Sequence, residues 1–271
     1  MNKALLTIAA AALAIPVYAQ ENSTPKTDLL LSAKFAYASH YVENGMQRQK
    51  DNLNATISAG YNLPARGDFA TDLYSELFYM SPYSKTYNQI NLTFGSKVWY
   101  AYEYFLDFGY TYSAYPNSDG ERIASAIEMN RANINHQNTF FLGIGRDVEL
   151  IDGEEWSAVV LSAYTSYACC TEDWVVKVSL EKNFSKVLVD ELDLSFKATY
   201  GYSNAGDYFG KGSNVSNDYG YFELSAGAVY HLTPSVDATV GVAYDYNNET
   251  HTYNSRAQST TTVGCGLVFR Y

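Results

Sequence analysis

Apolar and polar side chains alternate along most of this chain. Between Leu53 and Leu63, positions Leu53, Ala55, Ile57, Ala59, Tyr61 and Leu63 are apolar or aromatic, with Asn54, Thr56, Ser58, Gly60 and Asn62 between them. From Leu31 to Tyr41, Leu31, Ala33, Phe35, Tyr37 and Tyr41 occupy one phase, and Ser32, Lys34 and His40 the other. A period of two points successive side chains to opposite faces of a β-strand, so each segment meets an apolar medium on one face and water on the other. The same period predicts strands near 69–80, 89–100, 104–115, 138–148, 156–168, 174–184, 191–203, 219–231, 236–246 and 259–271, twelve in all. Phase is least defined in 156–168, where Val159, Leu161 and Ala163 compete with Trp156, Ala158, Val160 and Tyr164.

The connections alternate as well. After even-numbered strands they are tight: Pro64 to Asp68, Ala101 to Glu103, Glu149 to Glu155, Ser185 to Asp190 and Leu232 to Ser235. After odd-numbered strands they are mostly longer and polar: Val42 to Asp51, Ser81 to Asn88, Pro116 to Gln137, Cys169 to Asp173, Asn204 to Asp218 and Asn247 to Gln258. A soluble sandwich has no reason for this asymmetry, whereas outer-membrane barrels combine short periplasmic turns with longer external loops. The expected fold is all-β: a transmembrane, antiparallel, up-and-down β-barrel of about twelve strands over 29–271, with both termini periplasmic. Closure pairs every backbone group within the wall, which lipid requires.

The N-terminus sets the compartment. Lys3 precedes an apolar run from Ala4 to Ile15 interrupted only by Thr7, and Val17-Tyr18-Ala19 ends in a small residue. This is the layout of a cleaved secretory signal over 1–19, leaving 20–28 as a short periplasmic lead-in. The run is too short to span roughly 30 Å of hydrocarbon as a helix.

Composition agrees. The 271 residues are 47% hydrophobic and include 26 Tyr and 13 Phe, yet mean hydropathy is −0.23. A barrel needs only every second residue apolar. On the outward phase, Tyr61, Tyr100, Tyr104, Tyr230, Phe269 and Tyr271 fall near the expected periplasmic strand ends, and Tyr41, Tyr79, Tyr112, Trp174, Tyr202 and Tyr246 near the external ends. Amphipathic rings in two belts are membrane-interface girdles. A formal charge of −11 disfavours nucleic acid as a partner. The 3 cysteines form neither a disulfide framework nor a zinc spacing, and no cofactor motif or metal-ligand set is present.

The inward phase carries the candidate pore lining: acids Asp72, Glu76, Asp107, Glu181, Asp193, Glu223, Asp237 and Asp245, and bases Lys34, Lys97, Lys177, Lys197 and Arg270. Twelve strands tilted about 40° give a backbone radius of roughly 12 Å and a passage of about 10 Å or less. Inward Gly60, Gly95, Gly109, Gly143, Gly145, Gly227, Gly241, Gly264 and Gly266 argue against a lumen filled with bulky apolar groups. The competing expectation is a narrow barrel plugged by internal salt bridges. Within the third external connection, Ile123, Ile127, Arg131 and Ile134 have helix-like spacing, so Glu121, Arg122, Glu128 and Arg131 are candidates for a constriction; a plain surface loop explains the same spacing.

Two segments carry resemblances. The final strand alternates Val263, Cys265, Leu267, Phe269 and Tyr271 with small or polar partners and ends on the aromatic. It resembles the C-terminal strand of bacterial outer-membrane proteins, which implies that Leu267, Phe269 and Tyr271 are the signal read by the barrel-assembly machinery. Ser39-His40-Tyr41-Val42-Glu43-Asn44-Gly45-Met46-Gln47 resembles the opening segment of TorF-type porins at Tyr41, Gly45 and Gln47. It departs from them at Glu43 and Asn44, where that family prefers an aromatic residue and arginine.

No catalytic constellation emerges. None of His40, His136, His231 and His251 has Ser at plus two, the spacing of the lipid-facing pair in outer-membrane phospholipase. Ser39 and His40 are expected on opposite strand faces. The chain thus reads as a non-enzymatic, porin-like diffusion channel, embedded in outer-membrane lipids, passing ions and small hydrophilic solutes with a mild cation preference. The alternative is a non-conducting structural or adhesive barrel whose external loops bind a surface partner.

Overall fold

In the computed structural model the described residues are 29–43, 46–83, 88–116, 136–149, 158–170, 173–204, 218–248 and 259–271. They form β1 (Leu29–Glu43), β2 (Met46–Arg66), β3 (Phe69–Pro82), β4 (Gln89–Tyr100), β5 (Tyr104–Ala114), β6 (His136–Glu149), β7 (Ala158–Ala168), β8 (Asp173–Phe184), β9 (Leu192–Asn204), β10 (Asp218–Thr233), β11 (Val236–Asn247) and β12 (Ser259–Arg270). Each strand pairs antiparallel with its sequence neighbours, and β1 pairs with β12 to close the ring. Closure removes the unpaired edge that would otherwise expose N–H and C=O groups to lipid.

Parity decides which residues face lipid. Leu53, Ile57, Leu73, Leu77, Leu161 and Val240 are exposed on the outer face, while their neighbours Asn52, Asn54, Thr56 and Ser179 on the opposite phase are buried. At the end where consecutive strands join by tight connections, here the turn side, Phe69 packs on Tyr100 with ring centroids 5.1 Å apart, and Tyr100 on Tyr104 at 6.5 Å. At the opposite, loop side, Tyr167 packs on Trp174 at 4.9 Å and Tyr112 stacks on His136 at 6.2 Å. Rings thus line both rims of the apolar wall.

The tightest hairpins show why local chemistry permits them. The Glu103 N–H donates to the Tyr100 carbonyl at 3.1 Å, and Ala101 and Tyr102 both adopt positive φ, 51° and 57°. Left-handed geometry at both central positions matches strand twist, though Cβ atoms are strained there. In the β2–β3 turn that role falls to Gly67, at φ 63°.

Three expectations change. The connection Val42 to Asp51 is largely strand: β1 runs to Glu43, β2 starts at Met46, and the register shifts between Tyr41 and Val42. This stretch has no apolar alternation, so period two cannot reveal it. Tyr41, expected in the loop-side girdle, is fully buried beside that shift. In β7, pairing resolves the ambiguous phase: Tyr164 lies opposite Gly143 and Lys177, placing Val160, Ser162, Tyr164 and Ser166 inward and Leu161, Ala163 and Thr165 outward.

Candidate functional site: the barrel lumen

All of the sequence-selected ionisable residues Lys34, Asp72, Glu76, Lys97, Asp107, Lys177, Glu181, Asp193, Lys197, Glu223, Asp237, Asp245 and Arg270 fall on the inward phase. The register makes many of them direct cross-strand neighbours: Asp72 opposite Lys97, Lys97 opposite Asp107, Glu181 opposite Lys197 and Glu223 opposite Asp245. Candidate constriction residues Glu121, Arg122, Glu128 and Arg131 lie outside the described residues, as does the expected signal segment. Leu267, Phe269 and Tyr271 lie on the outward phase of β12 and its end, with Phe269 packed edge-on against Phe35 at 6.4 Å.

Asp107 on β5 forms the centre of the site. Its two carboxylate oxygens accept from the hydroxyls of Tyr74 on β3, at 2.8 Å, and Tyr164 on β7, at 3.0 Å. Each tyrosine must cross an intervening strand, and does so over a glycine: Tyr74 over Gly95 on β4, and Tyr164 over Gly143 on β6. A Cβ at either glycine would overlap the ring. Phe105 is seated in the same way on Gly145, Phe141 on Gly109, and Tyr221 on Gly201. This corrects the expectation that the inward glycines keep the lumen free of bulk: several of them are seats for aromatic rings. A signal is present in sequence, since Tyr74 shares the parity of Asp72 and Glu76.

The charges around this knot are engaged. Lys97 places its ammonium 4.4 Å from the Trp99 ring centroid and 4.0 Å from that of Phe105, an arrangement that attracts a cation to the negative ring face. The Trp99 indole N–H donates to Asp72 at 3.0 Å. Glu181 pairs with Lys197 at 3.5 Å and accepts from the Asn183 amide at 3.2 Å. Lys177 lies 5.6 Å from the Tyr164 centroid. Lys34 and Glu76 attract one another, and Glu223 lies in the field of Lys197 and Lys177.

A second cluster closes the turn-side end of β9 to β12. His231 is held between two carboxylates, Nδ1 at 2.7 Å from Asp237 and Nε2 at 3.0 Å from Asp193. Arg270 pairs with Asp237 at 2.5 Å, and the Lys186 N–H donates to Asp193 at 2.9 Å. The cluster ties the penultimate residue of the chain to three other strands.

The cross-section is uneven. On a circular barrel of roughly 12 Å radius, strands three places apart stand about 17 Å apart, yet Cα atoms of β11 and β2 approach within 8 Å although β12 and β1 lie between them. Inward residues here are small and buried, Ala38 and Thr262 at 0% exposure and Ala243 at 1%. Gly266 has so little room that a Cβ would stand 2.6 Å from the Phe35 carbonyl oxygen and 2.8 Å from the Ala36 methyl. The round cross-section expected from strand number is therefore flattened at this corner, away from the polar and aromatic inward residues of β3 to β9.

Ser39 and His40 differ from expectation too: the Ser39 hydroxyl lies 3.1 Å from His40 Nδ1 and accepts from the Val263 N–H at 3.0 Å. The hydroxyl is thus anchored to the β1–β12 seam. Cys169, Cys170 and Cys265 are free thiols.

No protein-family model matches this chain, and no curated protein matches its sequence. Its fold resembles solved structures. An outer-membrane channel from Pseudomonas putida F1 aligns over 92% of this chain and 97% of its own, at 10% identity and a TM-score of 0.56. The NanC porin aligns over 89% of this chain and 100% of its own, at 10% identity and a TM-score of 0.45, and the KdgM porin over 89% and 99%, at 9% identity and 0.46. With its closed twelve-strand wall, apolar outside and polar within, the chain is a multi-pass β-barrel of the bacterial outer membrane.

Proposed function

We propose that this barrel is a passive diffusion channel for ions and small hydrophilic solutes with a mild preference for cations. The observation that carries the reading is the set of ionisable residues on the inward phase, from Arg270 and Asp237 near the turn side, through Lys97, Asp107 and Lys177, to Asp245 near the loop side. A barrel with no aqueous contents gains little from so many charges, because each must be paired or hydrogen-bonded once removed from water. The sequence-selected residues, eight acids against five bases, favour cations, and Asp147 and Asp173 add to the acids on the same phase. The P. putida relative of this fold is a channel, which supports the same reading. Tyr41, Gly45 and Gln47 support a TorF-type porin, with the turn side and both termini in the periplasm and Leu267, Phe269 and Tyr271 presented to the assembly machinery.

Purified protein in a planar bilayer tests this. Discrete conductance steps and a reversal potential displaced toward the cation in a salt gradient are expected, and Asp107→Asn is expected to reduce that displacement. Absence of steps overturns the channel; steps without displacement overturn the selectivity. The flattened corner at β11 and β2 favours a second reading, a closed barrel whose external loops bind a surface partner. That reading predicts no conductance but saturable binding of whole cells to a surface ligand, lost when 247–258 is deleted.

A further inference from the structure

The outer wall contains an apolar depression of about 470 Å³ across β8 to β11, bounded by Leu180, Phe196, Leu224 and Tyr244 and floored by Ala198 and Ala226. The register explains it: Ala198 lies between Leu180 and Leu224, and Ala226 between Phe196 and Val242, so two small residues sit diagonally among large ones. A groove among aliphatic side chains on a lipid-facing wall is filled by acyl chain. Its lining also includes Lys182, at the turn-side end of β8.

Lys182 is unusual for its place. Arg66, Arg146 and Lys182 are the lysine and arginine side chains on the outward phase of the strands among the described side chains, and all three lie near the turn-side rim. Arg146 lies over the Tyr104 ring, 4.8 Å from its centroid, and does not line this groove. Lys182 donates to the Ala158 carbonyl at 2.6 Å and lies 5.0 Å from the Phe184 ring centroid. These contacts fix the ammonium at the rim without neutralising it, and no acid among the described residues pairs with it. An ammonium has three N–H donors, so two remain for an external acceptor. Near a headgroup layer the complementary group is an anionic phosphate.

We propose that this groove and Lys182 form a site for an anionic phospholipid of the turn-side leaflet, with one acyl chain over Ala198 and Ala226 and the headgroup phosphate on the Lys182 ammonium. The test is native mass spectrometry of the detergent-solubilised full-length barrel, titrated with phosphatidylglycerol or with phosphatidylcholine of identical chains. Wild type is expected to retain phosphatidylglycerol about fivefold more tightly, the preference one lysine near a headgroup supplies. Lys182→Gln should abolish that preference, Ala226→Phe should fill the groove and weaken both lipids, and Arg146→Gln should change neither. Heat-dependent gel mobility checks folding of each variant, and Ala198→Phe replaces Ala226→Phe if the latter does not fold. Equal retention of the two lipids by wild type, or undiminished preference in Lys182→Gln, overturns the proposal. A wild-type dimer that Ala226→Phe dissociates also overturns it, assigning the groove to a second copy of the chain.

Discussion

On β4, β6 and β9 the inward glycines Gly95, Gly143 and Gly201 lie beneath the rings of Tyr74, Tyr164 and Tyr221, whereas on β12 Gly266 is met by the backbone and methyl group of β1. In the first region the missing side chain makes room for a larger one arriving from a neighbouring strand, and the wall gains aromatic bulk and a shared carboxylate. In the second it lets strands close on each other, and the wall loses its lumen. The residue type is the same; what stands opposite it decides whether space becomes side chain or disappears. The interior is therefore wider toward β3 to β9, where most of the inward rings lie.

The sharpest way to break this contrast is to give the corner a side chain. Gly266→Val is expected to destabilise the barrel by about 3 kcal/mol or more, because the atoms it meets belong to backbone and a Cβ rather than to a flexible side chain. Urea unfolding in lipid vesicles measures this; a loss below about 1 kcal/mol would refute the close approach. On the aromatic side, Gly95→Ala should cost about 2 kcal/mol by displacing the Tyr74 ring. Adding Tyr74→Ala should recover at least about 1 kcal/mol of it, and strict additivity in that double-mutant cycle would show that the glycine is not a seat.

Between these regions, Arg270→Gln tests the cluster joining β9 to β12. It leaves Asp237, 1% exposed, with the imidazole of His231 as its remaining partner here, and is expected to cost about 1–3 kcal/mol, with lower protection from amide exchange in the last strand. The smallest effect lies at the β4–β5 turn. Ala101→Gly should stabilise by about 0.5–1 kcal/mol, since φ at 51° strains a Cβ that glycine lacks. A loss of stability there would show that the strain is offset by contacts of the Ala101 methyl.

Most of the strand layout was legible in the chain because lipid on one side and polar surroundings on the other impose period two on every crossing. Parity likewise placed Asp72, Lys97, Asp107 and the other ionisable residues on one face before any contact was known. It failed at 42–51, where the extended pair β1–β2 has no apolar alternation, and it misplaced Tyr41, whose phase is broken by the shift beside it. For Tyr74 parity pointed inward and for Tyr164 it left the phase open, and nothing along the chain links Asp107 to residues thirty-three and fifty-seven positions away.

What the sequence determined by itself was therefore the local solvent of each residue: strand by strand, which side meets hydrocarbon and which meets the interior. Register and curvature belong to the tertiary structure. Only the closed ring decided that Gly95 and Gly143 would carry tyrosines and Gly266 would not, that β11 and β2 would meet, and that Lys182 would stand at the edge of an apolar groove. Periodicity records the burial of one residue at a time, whereas a seat, a pinch or a groove requires two or more strands to be brought side by side.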